Sequence, residues 1–337
     1  MLDLETLQKI DKQKMFEGYD NWPTVAENAY NSEHEKINFI GINHIVLAGM
    51  GGSGAIGDFF ASILSKANIH VSVIKGYLLP NTINKNTLII TTSVSGNTIE
   101  TLTILKDAMK TDGKIIAFSD GGKMKEICEN NKIIHRNLKS YHSPRVSFTS
   151  FLYSMLKILS PILPIKKNDV IESITELKKL QKNISSNNIN KKNASLNLAM
   201  SITGIPVIYY PWGLEASAIR FKNSLQENVK MHCMVEDIIE SCHNGIVSWE
   251  IPQNMNPILL QGSDDYVKTK ERWKIIKKYF MKNNIEFKEI YSIKGNIISK
   301  LINLIYLLDY SSIYLAAIRG IDPSPVKSID FIKKKIY

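Results

Sequence analysis

Short apolar runs alternate along this chain with longer amphipathic stretches. The runs at 44–48, 71–74, 87–92, 114–118 and 133–136 have the length of buried strands. Between them lie helix-length segments at 54–67, 98–111 and 123–130. Strand, helix, strand in repeated alternation predicts a mainly parallel sheet covered on both faces. Residues 170–195 read as an amphipathic helix that runs into a polar stretch, 183–193, rich in Asn, Ser and Lys. That composition predicts an exposed linker. The pattern then restarts, with strands at 206–210, 257–261 and 286–290, helices at 212–225 and 267–282, and a strongly apolar helix at 301–319. The expectation is an α/β protein of two similar domains, residues 1–160 and 161–337, each a mainly parallel sheet flanked by helices.

Length and composition fit that picture. The chain has 337 residues and is 44% hydrophobic, enough for about two domains at 100–200 residues each. Two apolar stretches, 147–165 and 301–318, are shortened as membrane candidates by Lys157, Pro161 and Pro164 in the first and by Asp309 in the second. A span needs about 20 apolar residues in a row, so both are expected to be buried helices and no membrane partner is expected. The formal charge of +10 comes from scattered lysines and short runs such as Lys333-Lys334-Lys335. No basic stripe is interleaved with aromatics, which argues against nucleic acid and leaves anionic substrates. Cys128, Cys233 and Cys242 are an odd set without disulfide or metal spacing. Residues 1–30 carry Asp, Glu and Lys throughout, so no secretory leader is expected and the setting is read as cytoplasmic.

Two loops carry candidate chemistry. In the first, Ile45-Val46-Leu47-Ala48 runs into Gly49-Met50-Gly51-Gly52-Ser53-Gly54 and then a helix. Glycines let backbone amides approach an anion, and a helix N-terminus adds partial positive charge. Gly49, Gly51 and Gly54 also match the spacing of a dinucleotide fingerprint. That rival requires an acidic residue after the next strand, where Ile74-Lys75-Gly76 stands instead. In the second loop another strand feeds Ser93-Val94-Ser95-Gly96-Asn97-Thr98 and a helix start. Ser95 alone would be an ordinary helix cap. Three hydroxyls around one glycine exceed what capping needs and suit a phosphate. No lysine follows the glycine, so this is not a nucleotide-binding P-loop. A small phosphoester held without metal is the ligand these loops predict.

With both loops in hand, the N-terminal half resembles a sugar isomerase (SIS) domain. The whole chain is similar to the bifunctional phosphoglucose/phosphomannose isomerases, in Gly49–Asp58, Thr92–Thr101, Ser143-Pro144-Arg145, Arg220–Lys230, His243-Asn244 and Arg319–Lys333. The resemblance implies two SIS-like domains and a homodimer with active sites shared between domains and subunits. It implies phosphate contacts from Gly51, Gly52, Ser53, Ser93, Ser95 and Thr98, and an active-site arginine at Arg145. It nominates Glu227, in Gln226-Glu227-Asn228, as the base that moves a proton between C2 and C1. It nominates His243, reaching in from the neighbouring subunit, and Lys333 as the ring-opening pair. Cys242, Gly245, Gln226 and Ser324 depart from the family's usual residues. Neither cofactor nor metal is implied, and no His/Cys/Asp cluster has ligand spacing.

The activity so implied is reversible conversion of glucose 6-phosphate or mannose 6-phosphate to fructose 6-phosphate through an enediol(ate). The competing reading is a non-catalytic sugar-phosphate sensor, which would carry a helix-turn-helix or lack the carboxylate. An amidotransferring enzyme would need a glutaminase unit for which 337 residues leave no room.

Overall fold

The computed structural model describes residues 2–336. The chain divides into two compact units. One comprises Asn21–Lys178 and Gly295–Leu301. The other takes the chain up to Asp20, Lys179–Lys294 and everything from Ile302 onward.

The first unit is built on five strands: β1 (His44–Ala48), β2 (His70–Ile74), β3 (Thr87–Ser93), β4 (Lys114–Ser119) and β5 (Ile134–Asn137). They form one sheet in the order β2-β1-β3-β4-β5, parallel throughout. Every residue of β1 and β3 is buried, as an unbroken apolar run covered on both faces requires. Helices Gly51–Leu64, Ile99–Ala108 and Gly122–Asn130 make the crossovers. The sheet is also covered by Phe148–Ile158, in which Phe148 stacks on Trp22 and meets Phe59 edge-on. The buried Trp22 indole donates to the Val146 carbonyl at 2.8 Å, so its one polar atom is satisfied.

The second unit repeats the plan with β6 (Ile205–Tyr210), β7 (Met234–Asp237), β8 (Met255–Gln261) and β9 (Lys288–Tyr291), in the order β7-β6-β8-β9 and again parallel. Trp273, Ile276 and Phe280 of the helix Val267–Lys282 pack on Val207, Tyr209 and Leu259. The α/β expectation of two mainly parallel sheets flanked by helices thus holds. The strand β7 lies outside that expectation, because Met-Val-Glu-Asp is short, half polar and forms the sheet's edge.

Two expectations need correction. The polar stretch 183–193 is not an exposed linker throughout. Ser185, Ser186 and Asn193 are buried. Asn193 caps the following helix through Leu196 N–H and donates to the Ile184 and Asn188 carbonyls and to Tyr314 Oη. Ser186 donates to Asp20, whose carboxylate also accepts from Tyr310 Oη at 2.7 Å. Asn193 thus satisfies backbone carbonyls and Ser186 an Asp20 oxygen, while Asn183, Asn187 and Asn190 are exposed. The segment 212–225 is likewise not one helix. It is a short 3₁₀ turn, a helix Glu215–Ser224 and a π turn Leu225–Val229 that ends at Lys230 in the left-handed region.

The helix Ile297–Ile318 is long and apolar enough to cross a membrane, but 89% of its most apolar window is buried inside the protein. Asp309 within it is fully buried. It accepts from Arg220 Nε at 3.0 Å and Nη2 at 2.7 Å, and from Ser224 Oγ at 2.6 Å. Burial opposes the charge on Arg220, and the adjacent Asp309 carboxylate outweighs it, so the guanidinium pKa is raised. Asp309→Ala takes that carboxylate away from a buried cation and should cost roughly 3–5 kcal/mol, read as a lower urea midpoint of unfolding. A midpoint equal to wild type would show that the pair does not hold this unit.

Candidate active site

The first loop begins where β1 ends. Gly51 opens the helix Gly51–Leu64 with φ +52°, a conformation that favours glycine. Ser53 and Gly54 N–H donate to the Met50 carbonyl at 3.0 and 3.2 Å, which leaves the Gly51 and Gly52 amides at the helix's N-terminal end with no carbonyl one turn back. Gly49 and Gly54 have a different duty. A Cβ at 49 would come within 3.0 Å of the Ser53 backbone, and one at 54 within 2.9 Å of the Gly49 carbonyl. These glycines allow the helix to lie close on its strand, which accounts for the dinucleotide-like spacing without a nucleotide. Lys75, after β2, pairs with Asp58 at 2.6 Å.

The second loop follows β3. Thr98 is the N-cap of Ile99–Ala108, yet its side chain makes no capping bond. Its hydroxyl instead meets Ser93 Oγ at 2.9 Å. Ser95 Oγ accepts from Asn97 N–H at 3.3 Å and the residue is exposed. Gly96 has φ +67°, and a Cβ there would overlap the carbonyl oxygen of Gly121. Asp120-Gly121-Gly122, after β4, therefore shapes this loop from beneath, with Met124 N–H donating to the Gly96 carbonyl and Lys123 N–H to Asn97 Oδ1. Reading the sequence alone passes over that pair of glycines, because only a loop-to-loop contact gives it a use.

Three segments meet here. Ser53 Oγ accepts from Val94 N–H at 3.3 Å, joining the two loops. A Cβ on Gly52 would stand 2.8 Å from the Pro144 carbonyl, so the Ser143-Pro144-Arg145 turn lies directly against the first loop. That turn is closed by Ser147, whose hydroxyl donates to the Tyr141 and Ser143 carbonyls and accepts from Tyr141 N–H. Arg145 is 5% exposed. Gly51, Gly52, Ser53, Ser93, Ser95, Thr98 and Arg145 thus belong to one end of one sheet.

The remaining candidates, Glu227, His243 and Lys333, all belong to the other unit. Glu227 is half-buried on the π turn. Its neighbours are anchored on either side: Ser224 on Asp309, and Asn228 by donating to Ser312 Oγ at 2.7 Å. Lys230 Nζ donates to the Glu227 carbonyl at 2.7 Å and to the carbonyls of Asp322 and Pro323. That lysine ties the turn to the segment before Ser324. Asp309, legible in the sequence only as a break in an apolar run, is thus what fixes the approach to Glu227.

His243 is exposed and follows the one-turn helix Ile238–Ser241, which Asp237 caps through Ile239 and Glu240 N–H. Lys333 is exposed on the terminal helix Lys327–Ile336, none of whose residues is buried. Of the other histidines, His142 directly precedes the Arg145 turn, and His135 bonds Ser119 Oγ at 2.8 Å, the hydroxyl that donates to the Gly121 carbonyl. His44 and His70 sit side by side at the start of β1 and β2, at the opposite end of the sheet from the loops. Among the described residues no cluster of three or more His, Cys, Asp or Glu could hold a metal.

A bifunctional phosphoglucose/phosphomannose isomerase of Caldicellulosiruptor bescii is 32% identical over 336 residues, covering 96% of this chain and 98% of the relative. This chain belongs to that family. A second relative of the same name, from Aquifex aeolicus, is 28% identical and covers 93% of this chain and 97% of the relative. The SIS domain model matches residues 38–160, and a bacterial phospho-glucose isomerase C-terminal SIS domain model matches 191–336. A solved structure of a hypothetical protein from Thermus thermophilus aligns with a TM-score of 0.72 at 12% identity, over 98% of this chain and 88% of that one. That likeness establishes the fold alone.

Two glycines, Gly96 in the second loop and Gly121 beneath it, give a graded test. Gly121 has φ +86° and ψ −137° with nothing near its Cβ direction, so Ala there bears backbone strain alone, roughly 1–3 kcal/mol. Gly96→Ala also puts a side chain at positive φ, and its methyl collides with main chain as well. It should weaken inorganic phosphate binding by at least about ten-fold in calorimetry, and Gly121→Ala by less. Equal affinities would mean that the loop's shape does not matter to the anion.

A second test concerns Glu236, at the end of β7. Burial raises its carboxyl above the usual value. The folded chain then binds its proton more tightly than the unfolded chain does. The resulting stability is complete below the unfolded pKa and is lost as pH rises through the folded one. Glu236→Gln cannot lose it, so the variant's thermal midpoint should climb relative to wild type as pH rises through and above the ordinary carboxylate range. A constant difference would refute the raised carboxyl.

Proposed function

We propose that this protein interconverts glucose 6-phosphate or mannose 6-phosphate with fructose 6-phosphate. The observation that carries the reading is the meeting of Ser53, the Ser93–Thr98 loop and the Arg145 turn at the C-terminal end of one parallel sheet. Ser93 Oγ and Thr98 Oγ1 share one hydrogen bond, so one of the two hydroxyl protons remains for a ligand oxygen. Family membership supplies the reaction class, since relatives across nearly the whole chain carry that name.

In this reading the amides and hydroxyls of Gly51, Gly52, Ser53, Ser93, Ser95 and Thr98 hold the phosphate. Helix-terminal N–H groups favour an anion and need no metal to do so. His243 and Lys333 open the sugar ring, with His243 able to pass a proton near neutral pH. Glu227 then moves one proton between C2 and C1. One base suffices because it can reach both carbons from one face of a planar enediol. Arg145 stabilises the developing oxyanion, and its burial makes that charge count for more than it would in water. An exposed His243, carried on a short capped turn, suits a residue that serves the substrate of a neighbouring subunit, so the working unit is read as a homodimer. Three free cysteines suit a reducing cytoplasm.

A coupled assay on both hexose phosphates with EDTA present should give turnover, and none from a folded protein would sink the isomerase reading. Glu227→Gln should lower kcat by about 10²–10⁴-fold while sugar-phosphate binding persists in calorimetry. Mixing Glu227→Gln with His243→Ala subunits, after dissociation and reassembly, should restore about a quarter of wild-type activity, because half the dimers carry one complete site of two. No recovery on mixing would place His243 and Glu227 in the same subunit's site.

A further inference from the structure

We propose that Glu236 positions the His243 turn through a space-filling contact with Gly245, and that the two residues are a matched pair. This rests on the isomerase reading, in which His243 handles a ring proton. Gly245 has a backbone φ outside the left-handed region, so its conformation does not demand glycine. Space does. A Cβ at 245 would overlap Glu236 Oε2 and lie 3.0 Å from its Cδ and 3.2 Å from Oε1. The whole carboxyl group, not one rotatable oxygen, fills the place a side chain would take. Oε2 is buried and has no hydrogen-bond partner among the described residues. Polar bonding therefore does not account for the seat, and packing does.

The rest of the turn is held to the same part of the sheet. Glu236 pairs in register with Tyr209 of β6. Tyr209 Oη accepts from Trp249 Nε1 at 2.7 Å, and Trp249 lies in the 3₁₀ turn Gly245–Glu250 that Gly245 opens. That turn is thus fixed at its start by Glu236 and near its end by Tyr209. On the other side of His243, Asn244 Nδ2 donates to Glu240 Oε1 at 2.8 Å and its Oδ1 accepts from Gly245 N–H. His243 N–H itself donates to the Glu240 carbonyl at 2.9 Å. The backbone on both sides of His243 is fixed while its ring is exposed, which sets the direction in which the ring leaves the surface. The titratable groups around Glu236 are Tyr209, its register partner, and Tyr210, next along β6; Cys242 also acts on Tyr209, and Glu215 and Asp237 on Tyr210.

The test is a cycle of Gly245→Ala, Glu236→Ala and the double variant, read in two ways. Kinetically, Gly245→Ala should lower kcat by about ten-fold with KM nearly unchanged, since the phosphate loops are untouched, and the double variant should recover most of that loss as the new methyl takes the carboxyl's volume. In NMR, the His243 imidazole resonances should move in Gly245→Ala and return toward wild type in the double variant. The double variant has no overlap and should fold as wild type does even if Gly245→Ala does not. The proposal is overturned if Gly245→Ala keeps full kcat and unmoved resonances, if the double variant is no better than Gly245→Ala, or if the double variant does not fold. A wild-type protein that isomerises neither hexose phosphate would sink the isomerase reading, and the NMR cycle would still decide this one.

Discussion

Two loops can hold one small anion only if their strands are neighbours that deliver them to the same edge. In the order β2-β1-β3-β4-β5, β1 and β3 are adjacent and parallel, and the crossovers that leave them diverge to either side. Such a switch point opens a crevice beyond the carboxyl ends of the strands, where a ligand can meet two helix N-termini at once. Everything proposed for phosphate recognition depends on this adjacency. The glycines refine it: Gly49 and Gly54 bring the first helix close to its strand, Gly96 lets the second loop settle on Gly121, and Gly52 admits the Pro144 carbonyl. Remove the adjacency and these become unrelated tight turns.

The second sheet has the same order over four strands, β7-β6-β8-β9, and so has its own switch point between β6 and β8. It is furnished differently. After β8, the Gly262 amide is already taken by Asp265, whose carboxylate also accepts from Trp273 Nε1 at 2.9 Å. A built-in carboxylate occupies the amide that an incoming anion would use, and its negative charge repels one. The two halves thus share an architecture, and the loop after β8 brings its own carboxylate to an amide of the kind proposed to hold phosphate in the first half.

What the sequence disclosed follows from how local the cause is. Fully buried parallel strands such as β1 and β3 write themselves as unbroken apolar runs. The phosphate loops announce themselves through glycine and hydroxyl density. The strand β7 does not, because an edge strand of Met-Val-Glu-Asp is set by its pairing with β6. Asn193 and Ser186 look like tether residues because composition does not say whether an asparagine faces water or an orphan carbonyl. Asp309 is the sharpest case: along the chain it interrupts an apolar helix, and in space it is the partner of Arg220, 89 residues away. Glu227 carries no local signal at all and is reached only through family resemblance.

The burial of the candidate groups matches the work each is asked to do. Arg145 is buried in a turn closed by Ser147. A group that stabilises charge by being preorganised gains from exclusion of water and from a fixed position. Glu227 is half-buried, and both its flanking residues are anchored to the Asp309 helix. A base that must reach two adjacent carbons needs a fixed backbone and some freedom in its carboxylate. His243 and Lys333 are exposed. A histidine proposed to serve another subunit must stand clear of its own. The π turn at Leu225–Val229 serves the same end. By widening the last turn before Lys230 it carries Glu227 off the regular helical face, while Lys230 holds its carbonyl against the 322–323 segment. The π turn, which also buries Leu225, Asn228 and Val229, falls at the carboxylate proposed to move a proton, and single π turns are frequent at functional sites.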